Sequence, residues 1–344
     1  MPQRSVLIDG LKVLAAQLIV LHHIVMYAPM ARVVAPAWPV ATAFLADEAR
    51  FVVQIFVVIS GYLAVQGLAR GIEPLPRALR TRYLRLVPML AVALGLVLAA
   101  SALLPPGRWP GWVTPWPTPW QFIAHLLLLQ DVLHLPSLSA GAWYVSIDFQ
   151  LFALLAVGAT ILRPATLPWA VAALSLVSLG WFSRDERFDV WGLYFFGAYG
   201  LGALAAWAGR SRRLAALFGG VCALHLADAL LEARPRVVLA CLTAMALATL
   251  AQRWRPPGRS ADWLARWSDA AYGVFLIHFA VIVATTALWL RLDLHGPAAA
   301  WTMLMLCWAA SLAAGASLQR WVGALPLGRV TRRSDVAPPA PLAR

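Results

Sequence analysis

Apolar positions in this chain neither alternate nor gather into narrow stripes. They run on for lengths near twenty residues, separated by short polar punctuation. Ten such runs stand out: 11–30, 49–68, 84–104, 143–162, 167–183, 189–208, 213–231, 236–252, 269–290 and 298–319. A helix of about 20 residues crosses a hydrocarbon core about 30 Å thick, and it satisfies its own backbone polar groups there. The pattern predicts an all-α fold, a polytopic transmembrane helical bundle of about ten spans. Segment 120–135 is also apolar, but it is short and carries His125, Asp131 and His134, so it is expected to be an interfacial or re-entrant helix. The stretch Pro105–Pro119 is too rich in proline to be helical throughout and reads as an extramembrane loop. Residues 1–333 form one transmembrane domain. Residues 334–344, with three prolines, read as a disordered cytoplasmic tail.

Composition agrees with a bilayer and excludes a soluble class. The 344 residues are 61% hydrophobic and 12% charged, with a mean hydropathy of +0.73. Soluble chains carry about 25% charged residues, and no soluble core of this length could hide so much apolar surface. A net charge of +13 would suggest nucleic acid in a soluble protein. Here the cations cluster between apolar runs, which speaks against nucleic-acid binding. With ten spans, 20 of the 28 Lys and Arg residues fall on the side that holds both termini. The positive-inside rule then places both termini in the cytoplasm. Many of the 17 tryptophans, including Trp38, Trp109, Trp181 and Trp267, sit at the ends of apolar runs, as in an interfacial belt. Cys222, Cys241 and Cys307 lie within apolar runs without metal-ligand spacing and read as packing residues; no metal site is indicated. The first run contains Lys12 and the pair His22-His23 and has no convincing cleavage site after it. It is expected to be an uncleaved first span.

Ionisable residues inside spans are costly and point to function by default. Lys12 and His23 are eleven positions apart, about 16 Å along a helix and on one face. This sets a cation at the cytoplasmic surface and an imidazole near the midplane. In the fourth span Tyr144, Asp148 and, less closely, Ser146 and Gln150 can line a polar strip near one helix end. A carboxylate there wants a partner, and a histidine is a natural one. Both sets can also be read as packing or interfacial groups, as can His278 in the ninth span. His225 and Asp228, three apart in the seventh run, read as structural. Arg82 and Arg85 share a face in a basic run before the third span. They serve either as positive-inside anchors or as a phosphate-binding pair.

In order along the chain, five segments resemble the motifs of acyltransferase family 3, membrane proteins that O-acylate bacterial surface glycans. Lys12, ten residues and His23 are similar to its Arg-x10-His signature. Phe51 to Tyr62, with Gln54 and Ser60-Gly61, resembles its second-span motif. The run Arg82, Arg85 and Pro88 resembles its basic stretch, Trp143 to Phe152 its Trp-Ser-Leu-x-x-Glu block, and Tyr272 to His278 its Tyr-Gly-x-Tyr-Leu-x-His block. Three positions depart from the pattern. Lys12 replaces the usual Arg, Asp148 the usual Glu, and Gln54 the usual Asp.

The resemblance implies transfer of an acyl group, most often acetyl, from acyl-CoA to a hydroxyl of a cell-surface or lipid-linked polysaccharide at the bacterial inner membrane. It implies no permanently bound cofactor. Lys12, Arg82 and Arg85 would hold the CoA phosphates, and His23 would act as general base or transient acyl carrier with Asp148 orienting it. Asp9, His22, Gln54, Ser60, Trp143, Tyr144, Ser146 and His278 are candidates for positioning the substrate. A competing class is a transporter of a small polar or glycan-linked substrate, since buried histidines and carboxylates also serve proton relays. Inverted repeats would favour it, and none is evident. A silent scaffold is a third reading, supported by Gln54.

Overall fold

In a computed structural model, residues 5–69, 71, 73–251, 258–323 and 325 are described. The tail expected at 334–344 lies outside them. The described chain is helical, with no strand among the described residues. Ten principal helices follow in order: α1 (Val6–Tyr27), α2 (Val53–Leu68), α3 (Leu75–Ser101), α4 (Ala142–Ile161), α5 (Leu167–Gly180), α6 (Gly192–Ala208), α7 (Arg212–Leu231), α8 (Pro235–Leu250), α9 (Arg259–Arg291) and α10 (Gly296–Trp321). Each overlaps one apolar run. Seven helical segments among the described residues are long and apolar enough to cross a membrane; α2 reaches that length only with the short helices before it, as Pro39–Leu68. The helices α5, α6 and α8 are shorter, at 14, 17 and 16 residues, or about 21–26 Å.

The sequence left residues 31–48 as a connection. They are instead a chain of short helical pieces, Pro29–Val34, Ala35–Ala37, Pro39–Ala43 and Phe44–Glu48. Pro29, Pro36 and Pro39 each stand in the first turn of a piece, where the missing N–H costs nothing and the fixed φ favours a helical start.

Two helices organise the packing. The helix α9 lies against α1, α3 and α10, and 78% of its most apolar 18-residue window is buried. The helix α6 lies against α2, α5, α7 and α8, and α4 touches both groups. Small residues let the axes approach. A Cβ at Gly202 would collide with the Val58 carbonyl, and one at Gly61 with the Tyr199 carbonyl, so α2 and α6 meet backbone to backbone. The same holds for Gly273 against Gly315 between α9 and α10. Close approach through small residues is a main source of helix association in lipid. Gly202→Ala is therefore expected to destabilise the bundle by about 1–3 kcal/mol. Gly219→Ala in α7, where an added Cβ meets nothing within 4 Å, is expected to have no such cost. Thermal unfolding of both variants in nanodiscs checks this.

The segment after α3 shapes the interior. Thr118 caps a helix at Pro119–Leu126 by accepting from the Gln121 N–H. That helix folds back into the bundle, because the Leu126 carbonyl accepts a 2.9 Å hydrogen bond from the Tyr83 hydroxyl of α3. His125 is fully buried; its Nδ1 donates to the Gln121 carbonyl at 2.7 Å and its Nε2 accepts from Leu138 N–H at 3.0 Å. These bonds seat one face of the segment against α3 and the turn before α4. They also account for the depth at which α4 starts. Gly141, one residue before it, packs against the ring and carbonyl of Phe275, well inside α9. The first turn of α4 is thus inside the bundle rather than at its surface.

Candidate active site

Two buried polar clusters lie where the two helix groups meet. The first joins α1 to α9. His23 Nδ1 is 2.6 Å from His278 Nε2, and both side chains are buried. The ring planes are 3° from parallel with centroids 4.9 Å apart. With the nitrogens this close, the rings meet edge to edge in nearly one plane, the arrangement of a linear hydrogen bond. His278 Nδ1 lies 3.3 Å from the Val274 carbonyl, one turn back on α9. A carbonyl can only accept, so Nδ1 of His278 carries a proton. In the neutral ring Nε2 is then the acceptor, and His23 donates to it through Nδ1. The tautomer of His23 is thereby set, and its Nε2 keeps a lone pair for chemistry.

Aromatic rings enclose this pair. Tyr27 lies 5.6 Å from His23 and packs in turn on Trp112 at 5.2 Å and Phe279 at 5.4 Å. Trp112 comes from the Pro/Trp loop, so that loop covers the end of α1 beyond the histidines. On the other side Phe275 stands 6.1 Å from His278, and it packs with Tyr144 at 5.2 Å and Phe56 at 6.0 Å.

The second cluster joins α2, α3 and α4. Arg82 Nη2 is 2.6 Å from Asp148 Oδ1 and 2.5 Å from Oδ2. The Ser60 hydroxyl donates to Asp148 Oδ1 at 2.6 Å and accepts from Arg82 Nη2 at 3.1 Å. The face of the guanidinium lies over Phe152, 5.2 Å from its centroid. Side-chain exposure is 19% for Arg82 and 5% for Asp148, so this is a buried ion pair. Tyr144, Tyr199 and Tyr272 stand close enough to the pair to interact with it electrostatically. Two atoms nearby have no hydrogen-bond partner among the described residues: Arg82 Nε and the Tyr199 hydroxyl.

The sequence-derived candidates therefore separate. His23 and His278 come together, and Asp148 joins Ser60 and Arg82. The contact of His23 with Asp148, which depended on how their helices pack, is not made among the described residues: His23 Nδ1 lies on His278, and Asp148 on Arg82 and Ser60. Asp148 also lies deeper than its place near a helix end suggested, because α4 begins inside the bundle. Arg82, expected on a phosphate, is committed to Asp148. Arg85 is exposed, and Lys12 is partly exposed in the second turn of α1. His22 is anchored away from His23's partner, its Nδ1 donating to the Leu45 carbonyl at 2.8 Å. Ser146 accepts from Gln130 at 2.8 Å, and Trp143 packs on Phe195 at 5.6 Å. Asp9 is buried in the first turn of α1. Gln54 faces a different cavity, beside Tyr194 and Arg236. Asp228 pairs with Arg184 and Arg234, and His225 Nδ1 donates to the Val221 carbonyl. Sequence reasoning missed Tyr27, Trp112, Phe275 and Tyr199, which look like ordinary members of apolar or Trp-rich stretches.

Buried polar clusters within a bundle of membrane-spanning composition mark a multi-pass membrane protein. The family model for acyltransferase family 3, described as an acyltransferase domain, matches residues 6–317, nearly the whole chain. The protein belongs to that family, a membrane acyltransferase. No curated protein and no solved structure matches the chain.

Proposed function

We propose that the protein moves an acyl group, acetyl by preference, from acyl-CoA to a hydroxyl of a cell-surface or lipid-linked polysaccharide. In this reading the chain crosses the bacterial inner membrane ten times with both termini in the cytoplasm. The observation that carries the mechanism is the hydrogen bond between His23 and His278. His23 Nε2 takes the proton of the acceptor hydroxyl. The oxygen forms a bond to the thioester carbonyl carbon, the C–S bond breaks, and the CoA sulfur leaves with the proton carried by His23. His278 supports the imidazolium that forms, through its Nε2 lone pair on the His23 Nδ1–H.

The phosphates of CoA fall to Arg85 and Lys12 at the cytoplasmic mouth, since a guanidinium already paired with a carboxylate is a poor phosphate ligand. Arg82 then becomes a positioning residue that fixes Asp148 and Ser60 at the seam. Tyr144 and Phe275, between the two clusters, would line the path of the acyl chain.

Membranes containing the protein are expected to move label from [14C]acetyl-CoA into an alkali-labile ester on glycan. The His23→Ala protein, present at equal level, is expected not to do so. Label transfer equal in both would sink the role of His23. No transfer from any acyl-CoA by the wild-type protein, together with uptake of a polar solute into vesicles, would favour a transporter.

A further inference from the structure

Outside the seam, α2, α5, α6, α7 and α8 line a partly open cavity of about 30 Å³ with Gln54, Tyr194, His225, Arg234 and Arg236 on its wall. The space suits one or two waters, a halide ion or one carboxylate group. The charges around it do not balance. Asp228 is shared by Arg184 and Arg234, and Glu232 stands 3.7 Å from Arg184. Arg234 is further tied to Ser183 and to the Leu179 carbonyl. Arg236 has no carboxylate within ion-pair distance among the described residues. It donates to the Tyr194 hydroxyl and, at 2.6 Å, to the Ser183 carbonyl, and it lies over the Tyr194 ring. Three guanidinium groups thus share two carboxylates, and one positive charge is left at Arg236.

The lining also offers donors without acceptors. The Tyr194 oxygen accepts from Arg236, so its own O–H is available to donate. Gln54 is 8% exposed, lines this cavity, and its amide has no hydrogen-bond partner among the described residues. A water molecule could occupy the donors, but it would leave the half-buried charge uncompensated, which is costly. A small anion satisfies both.

We infer that this cavity binds one small anion, a halide or a carboxylate group, through the Arg236 charge, the Tyr194 hydroxyl and the Gln54 amide. The anion comes either free from solution or as the carboxylate of an acidic sugar. The inference is independent of acyl transfer, and so is its test.

The full chain in nanodiscs is unfolded thermally at fixed ionic strength, with a bulky sulfonate replaced stepwise by chloride, acetate or methyl glucuronoside. The wild type is expected to show a saturable rise in unfolding midpoint with chloride and with acetate. Arg236→Gln is expected to lose the rise. Gln54→Glu places a carboxylate in the cavity; it is expected to lose the rise and to start from a higher midpoint without chloride, and it decides the matter if Arg236→Gln does not fold. A glucuronoside response at lower concentration than acetate identifies an acidic sugar as the source, and a response to chloride and acetate alone identifies a free ion. Equal midpoints in chloride, acetate and sulfonate for the wild type would overturn the site, as would an undiminished rise in Gln54→Glu.

Discussion

Alanine in place of His23 is expected to lower acyl transfer about 10²- to 10⁴-fold, the range that a positioned general base contributes. The side chain is buried and its Nδ1 is held 2.6 Å from His278. The loss should fall on the rate at saturating acyl-CoA rather than on the KM for the donor, because the imidazole acts on the acceptor hydroxyl. His278 reaches the reaction only through His23, so its variants grade the effect. His278→Ala removes the acceptor for the His23 Nδ1–H and frees the ring to turn. His278→Gln returns an amide oxygen to about the same place and is expected to recover part of the activity. A merely structural role for His278 would lower the protein level in both variants and leave the activity per molecule unchanged. Radiolabel transfer normalised to the amount of folded protein separates these outcomes.

The second large effect is on stability. Asp148→Ala would leave Arg82 buried without its counter-ion, and breaking one side of a buried pair costs about 3–5 kcal/mol. The guanidinium has few alternatives, since Ser60 is the one other group it donates to among the described residues. Replacing both partners with apolar residues of similar volume, Arg82→Met with Asp148→Leu, is expected to restore most of the unfolding midpoint. It is not expected to restore transfer, because Ser60 then loses the carboxylate it donates to. A double variant less stable than Asp148→Ala alone would show that the pair is net stabilising beyond the cost of an orphaned charge. Transfer restored in the double variant would remove the pair from the site.

The helices were legible because the signal is coarse. A run of about twenty apolar residues between arginines has few meanings, and all ten runs are overlapped by helices. The short helices from Pro29 to Glu48 were not legible, because pieces of three to six residues leave no periodic apolar run. His23, Asp148 and His278 stood out as chemistry because each is polar in an apolar run. Their partners did not follow, because periodicity gives the face of a helix and not the neighbour that the face meets. His278 is 255 residues from His23, and Arg82 lies 66 from Asp148. Those pairings follow from the packing of α1 on α9 and from the depth at which α4 begins. Neither is written in local pattern. Tyr199 illustrates the same limit: it sits in the run Gly197-Ala198-Tyr199-Gly200 of α6 and is revealed only by the charges that surround it.

The aromatic groups on either side of the histidines also have an electrical consequence. A polar passage through a bilayer that holds a voltage would short-circuit it if water ran from one face to the other, since each charge crossing 100 mV releases about 2.3 kcal/mol. Here Tyr27, Trp112 and Phe279 close one side of the imidazole pair, and Phe56, Tyr144 and Phe275 stand between that pair and the cluster of Asp148 and Arg82. Apolar constrictions of this kind exclude water files. Such a bundle can keep ionisable groups in its interior while the membrane around it remains insulating.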